Sequence, residues 1–198
     1  MSESIGVVLL AAGQGSRFRQ VAGAERDKLV AACTGRDGVV RSVIEHTLVN
    51  LPATLGKRVL VTTADRPQVI RMAQAYGCEI VLIESTGMGD SIAAGVAACK
   101  QLDGWLMVLG DMPFILPSSI GQVVAGIGND SISVPVQGGK YGHPVGFGRD
   151  FAAGLMELSG DRGAKPLFAQ GRVIEVAVDD PGVLWDVDVP EALTFRPA

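Results

Sequence analysis

Four short apolar runs (Ile5 to Leu10, Arg58 to Thr62, Glu79 to Ile83 and Trp105 to Leu109) alternate with stretches of helical periodicity, and this alternation limits the fold more than any other property of the chain. Strands joined through helices pair in parallel, because a parallel pair needs a long crossover whereas an antiparallel pair closes with a tight turn. The expectation is an α/β fold of three layers, αβα, around a mainly parallel central sheet of right-handed βαβ units. Ligands of such sheets sit beyond the carboxyl ends of the strands. At 198 residues the chain can bury one full core, so a single domain over 1–198 is expected, with a small irregular subdomain at about Ser131 to Asp161.

Between the first two runs, Val40, Val43, Ile44, Thr47, Leu48 and Leu51 recur at helical spacing, with Asp37 placed to cap the start and Pro52 beyond the end. Asp65-Arg66-Pro67 opens a helix that Gly77 ends. Thr86-Gly87-Met88-Gly89-Asp90-Ser91 leads into another, with Ile92, Val96 and Cys99 on one face. Further on, Ser131 to Val136 and Val173 to Val178 read as strands and Gly138 to Gly142 as a turn. His143 to Phe147 reads as a short extended segment, Phe151 to Leu158 and Ala164 to Gln170 as helices, and Leu184 to Pro190 as an extended stretch.

The first run stops in Ala11-Ala12-Gly13-Gln14-Gly15-Ser16-Arg17, where small residues leave backbone amides uncovered. Successive N–H groups on such a loop form an anion-binding concavity, and Arg17 and Lys28 can neutralise phosphate charge. Gly13-x-Gly15 is shorter than the dinucleotide fingerprint, and a Walker A loop is absent, so neither hydride nor P-loop chemistry is indicated. An ordinary strand-to-helix turn would carry the same glycines.

Asp111 ends the fourth apolar run, and Met112-Pro113 keeps the chain there out of a helix, so a carboxylate stands at the ligand edge of the sheet. Asp186 and Asp188 flank Val187, and in an extended segment both face the same side. Asp111 with Asp188 would suit magnesium, which favours oxygen ligands and is held by one or two carboxylates plus substrate phosphates. The alternative is a set of surface aspartates at turns. His143, between Gly142 and Pro144, is expected to be exposed, contacting an anionic substrate or making a structural hydrogen bond. His46, between Glu45 and Thr47, reads as part of a solvated helix face, and Met88 as a loop-shaping residue. Arg162, in Gly160-Asp161-Arg162-Gly163-Ala164, either binds substrate phosphate or caps a helix.

A net charge of −4 without a cationic run gives no electrostatic ground for a nucleic-acid or membrane partner. Cys33, Cys78 and Cys99 are widely spaced, which argues against a zinc site or a disulfide framework and for a reducing cytoplasm. The start of the chain shows neither a cationic leader nor an apolar run long enough for a bilayer. A monomer is the expected state.

In their order, these motifs resemble the nucleotidyltransferases of molybdenum cofactor maturation, most closely the molybdopterin cytidylyltransferase type. The resemblance is carried by Leu10-Ala11-Ala12-Gly13-x-Gly15-Ser16-Arg17, Lys28, Gly87-Met88-Gly89-x-Ser91, Gly110-Asp111-Met112-Pro113, Gly142-His143-Pro144, Gly160 to Ala164 and Asp186-Val187-Asp188-Val189-Pro190-Glu191. It implies a Rossmann-like fold and transfer of CMP from CTP to the phosphate of molybdopterin, a phosphorylated pterin, with release of pyrophosphate and a molybdoenzyme as recipient of the product. By the same resemblance, Leu10 to Gly13, Gly15, Ser16, Arg17 and Lys28 hold the triphosphate, and Gly87, Gly89 and Ser91 recognise base and ribose. Asp111 and Asp188 bind Mg2+. From the residues themselves, His143, Asp161 and Arg162 are the candidate substrate-binding side chains. Ala12 resembles the cytidine-using branch, since guanosine-using relatives tend to carry glycine there. The chain departs from the family pattern in its connector: ten residues separate Arg17 from Lys28, and Asp27, not proline, precedes the lysine. The same architecture serves nucleotidyltransferases acting on other phosphorylated metabolites, and a noncatalytic nucleotide-binding or cofactor-delivery protein would carry part of the same loop.

Overall fold

β1 (Ile5–Leu10) runs into a loop and then α1 (Ser16–Ala22), followed by a small ribbon, β2 (Ala32–Thr34) and β3 (Val40–Ser42), and by α2 (Val43–Val49). The computed structural model describes residues 5–84 and 87–197. Thr86, part of the expected lead-in to a helix, lies outside them. The chain continues through β4 (Arg58–Thr62), α3 (Pro67–Ala75), β5 (Glu79–Leu82), α4 (Met88–Ala98), β6 (Gly104–Leu109) and α5 (Pro117–Ala125). It ends with β7 (Ser131–Gln137), β8 (Lys140–Tyr141), β9 (Val145–Gly148), α6 (Ala152–Met156) and β10 (Arg172–Ala177).

The main sheet has the order β10-β7-β9-β6-β1-β4-β5, with β8 paired to β7. β1 is parallel to β4 and β6, β4 to β5, and β7 to β10, whereas β9 runs antiparallel between β6 and β7. The expected α/β fold with a mainly parallel sheet is the one observed. Alternation along the strands feeds both faces: Val7, Leu9, Leu106 and Val108 pack with Ile44, Leu48, Val69 and Ile120 on one side. Val8, Val59, Trp105 and Met107 pack with Ile92, Val96 and Leu155 on the other. Covering both faces accounts for the near-continuous apolar strands.

Several local expectations change. α2 begins at Val43, not near Val40, because Ser42 and Glu45 form a reciprocal capping box there. Val40 lies in the ribbon, and the Asp37 carboxylate accepts from the Val39 N–H and the Arg41 guanidinium instead of capping a helix. His46 is buried, its Nε2 3.1 Å from the Cys33 carbonyl oxygen, so it ties α2 to the ribbon and is not on a solvated face. In the 131–161 stretch, β7 and β9 are integral to the main sheet, and Lys165–Gln170 is a 3-10 helix. All three cysteines are free and buried, and burial pushes the Cys33 and Cys78 thiols up to about 11.

The segment after β10 is held by Asp180, which is buried and accepts from the Leu116 N–H, the Ser119 hydroxyl, the Gly182 N–H and the Arg36 guanidinium. That junction fixes the 3-10 helix Pro181–Leu184 against the loop beyond β6, and the Val187 N–H then donates to the Asp111 carbonyl at 2.9 Å. Asp186 and Asp188 are thereby delivered to the end of β6.

Candidate active site

Because β4, β1 and β6 are neighbours, the loops that follow them meet at one edge of the sheet. The loop after β1 occupies the middle. Leu10, Ala11, Ala12, Gly13 and Gly15 line a cleft there together with Lys28, Leu29, Met88, Ser91, Leu109 and Asp111. Among the described residues, the N–H groups of Ala12, Gly13, Gln14 and Gly15 find no acceptor within the chain. Gly15 sits in the left-handed region, φ 62°, at the turn into α1, which explains glycine at that position. At Gly13 a side chain would extend into open space, so glycine there keeps the rim of the cleft bare.

Lys28 reaches the site despite its long connector. Asp27 caps the 3-10 helix Lys28–Val30 by accepting from the Leu29 N–H at 3.0 Å, and the lysine stem passes beside Gly15. Lys28 Nζ donates to Asp111 Oδ2 at 2.5 Å and to Asp188 Oδ1 at 3.1 Å. Burial works to lower the Lys28 ammonium, but the charge and hydrogen bond of Asp111, joined by those of Asp188, outweigh it and hold it above the usual lysine value. Asp188 is also raised by desolvation, yet Lys28 and then Arg17, 2.9 Å away, bring it below the usual carboxylate range.

Ligand oxygens of Asp111, Asp186 and Asp188 all lie within 4.8 Å of one another. Asp186, left out of the expected metal pair, therefore belongs to the cluster; desolvation and the charges of Asp188 and Asp111 raise its carboxyl. The parity argument that placed it beside Asp188 was sufficient to find it. Three hard oxygen donors at this spacing fit a divalent cation of the magnesium kind.

The other expected residues spread around this centre. Ser16 and Arg17 are exposed on the first turn of α1, with Arg17 directed to Asp188 and not lining the cleft. Ser91 lines the cleft, although its hydroxyl donates to the Gly87 carbonyl at 2.9 Å. Gly87 and Gly89 serve a close approach: the Gly89 N–H donates to the Gly160 carbonyl at 2.8 Å, and a Cβ on Gly89 would stand 2.7 Å from the Arg162 carbonyl oxygen. Asp161 and Arg162 are exposed on the segment so docked, beside Met88. His143 is not the exposed residue expected. Its N–H donates to the Val183 carbonyl, and its Nδ1 is buried without a hydrogen-bond partner among the described residues. Desolvation lowers the imidazole, opposed by the charge of Asp111.

Arg66, which reads in the sequence only as the start of a helix, is the residue most clearly missed. Its guanidinium is buried behind the β1 loop and donates to the Ala11 carbonyl at 2.9 Å and to the Gly13 carbonyl.

This chain matches the MobA-like NTP transferase domain over residues 7–175. It is 24% identical over 152 residues to the bifunctional protein GlmU of Buchnera aphidicola subsp. Acyrthosiphon pisum (strain Tuc7), covering 75% of this chain but only 30% of that protein. Its fold is similar to a nucleotidyl transferase from Methanothermobacter thermautotroptrophicus (TM-score 0.78, 21% identity, 95% of this chain and 93% of that one). It is also similar to Rv0371c from Mycobacterium tuberculosis H37Rv (TM-score 0.77, 24% identity, 97% and 96% covered). The manganese complex of Rv0371c superposes with a TM-score of 0.67 at 22% identity, covering 95% and 94%. With most of its length matched, the chain belongs to the MobA-like NTP transferase domain family.

Proposed function

We propose that this protein is a nucleotidyltransferase that moves CMP from CTP to the phosphate of molybdopterin and releases pyrophosphate. The observation that carries the reading is the pairing of free loop amides from Ala12 to Gly15 with a lysine and three clustered carboxylates across one cleft. The amides and Lys28 would hold the β- and γ-phosphates, with Arg17 at the outer side, and would stabilise the charge that grows on departing pyrophosphate. An acceptor phosphate oxygen forms the new bond to the α-phosphorus as the bond to the bridging oxygen breaks, and that electron pair leaves on pyrophosphate. No protein nucleophile takes part.

Asp111 and Asp188, with Asp186, would hold Mg2+, which supplies charge neutralisation and alignment of the phosphate oxygens when bound. The manganese complex of a structural relative supports a divalent cation. Ser91 and the start of α4 would face the base and ribose, and Ala12 favours cytosine by the resemblance described. Asp161, Arg162 and His143 would border the acceptor, with a molybdoenzyme receiving the product.

Thermal unfolding with CTP, GTP and ATP, each with and without Mg2+, tests the nucleotide. CTP with Mg2+ is expected to raise the midpoint most, since a ligand at about a hundred times its Kd adds roughly 2.7 kcal/mol to the native state. Equal shifts for all three would remove the preference for CTP, and no shift with any of them would overturn the reading.

A further inference from the structure

We propose that Arg66 is a positioning residue that presents the loop amides and Lys28 to the triphosphate; this rests on the nucleotidyltransferase reading of the same cleft. Each guanidinium nitrogen faces a part of that apparatus. Nη1 donates to the Ala11 carbonyl at 2.9 Å, Nη2 donates to the Gly13 carbonyl, and Nε lies 3.7 Å from Asp27 Oδ2. The side chain is 5% exposed, and the Thr62 hydroxyl adds a second donor, at 3.0 Å, to the Ala11 carbonyl.

In a planar trans peptide the carbonyl and the next N–H point in opposite directions. Holding the Ala11 and Gly13 carbonyls against Arg66 therefore turns the N–H groups of Ala12 and Gln14 the other way. That is the side on which Ala11, Ala12 and Gly13 line the cleft, whereas Arg66 lines a separate hollow with Asp27 and Pro67. The planar fork suits this task, because one side chain grips two carbonyls at once. Asp27 joins the same fork and immediately precedes Lys28, so the guanidinium also fixes the end of the long connector and with it the ammonium. Strand order makes this possible: β4 adjoins β1, and Arg66 stands in the loop following β4.

The test compares wild type with Arg66→Lys, which keeps a positive charge but cannot grip both carbonyls. Binding of CTP, GTP and ATP, and of the corresponding nucleosides, is measured calorimetrically with Mg2+, alongside the thermal midpoint. For whichever triphosphate the wild type binds best, affinity is expected to fall at least about tenfold, with nucleoside affinity unchanged within about twofold. Amide hydrogen exchange over residues 11–15 should lose its nucleotide-induced protection. Asp27→Asn keeps the grip on the loop but loosens the connector, and is expected to weaken the triphosphate about threefold; it decides the matter if Arg66→Lys does not fold. Wild-type binding retained undiminished in both variants, or nucleoside affinity falling in parallel with triphosphate, would overturn the role of Arg66 alone. A wild type that binds none of the triphosphates would overturn the reading of the cleft, and the role of Arg66 with it.

Discussion

Asp111→Asn is expected to cut pyrophosphate release from CTP by about a hundredfold or more while leaving the fold intact, because the amide preserves shape but removes the anionic ligand. Asp111 stands at the end of β6, beside the loop after β1, where its carboxylate meets Lys28, Asp186 and Asp188. The measurement is steady-state pyrophosphate release with an acceptor panel of molybdopterin and sugar phosphates, together with a thermal midpoint. Undiminished turnover in the variant would remove the carboxylate cluster from the chemistry. Binding of CTP by the wild type without any pyrophosphate release would point to a noncatalytic nucleotide-binding protein, and turnover with a sugar phosphate alone would change the acceptor.

Lys28→Met is expected to act on both binding and stability. Loss of the ammonium should raise the KM for CTP at least about tenfold, as a charge-assisted contact to phosphate disappears. It also leaves Asp111, Asp186 and Asp188 crowded within 4.8 Å, with Arg17, among the described residues, as the one remaining cation paired with any of them. At pH 7 the destabilisation should be about 1–3 kcal/mol. The pH dependence carries the sign. In the wild type the Asp188 carboxyl is held below its usual range, so its contribution is present above the unfolded pKa and lost as pH falls through the folded one. In the variant the Asp186 and Asp188 carboxyls lose Lys28 and shift upward, so acidification relieves repulsion. Urea midpoints at pH 7 and pH 5 should therefore show the gap between the two proteins narrowing at the lower pH. Parallel profiles would contradict this account of the cluster.

What the sequence disclosed was set by local physics. The apolar runs located the sheet, the glycine-bearing loops after the first, third and fourth of them marked its ligand edge, Met112-Pro113 marked Asp111, and the two-residue period set Asp186 and Asp188 on one side of Val187. The remaining features depend on contacts between distant residues. Lys28 looked remote because ten residues precede it after Arg17, yet Asp27 caps its turn and meets Arg66, folding the connector back. Arg66 itself carries no local signal, since its partners Ala11 and Gly13 lie more than fifty residues away. His46 sits among polar neighbours along the chain but is buried by the ribbon that Cys33 belongs to. Gly87 and Gly89 read in the sequence as ligand contacts, and the close packing of both against residues 159–162 is a further requirement for glycine that only the tertiary structure shows. The antiparallel β9, inserted between β6 and β7, likewise follows from tertiary pairing and not from any local pattern.

The most direct test of nucleotidyl transfer follows the label of CTP through one turnover. Enzyme, Mg2+ and molybdopterin are incubated in parallel with CTP labelled at the α- or the γ-phosphorus. Attack at the α-phosphorus predicts that the α-label enters the pterin product and the γ-label appears wholly in pyrophosphate, in equal amounts. Appearance of the γ-label on the acceptor or in orthophosphate, with the α-label left on CDP, would contradict it.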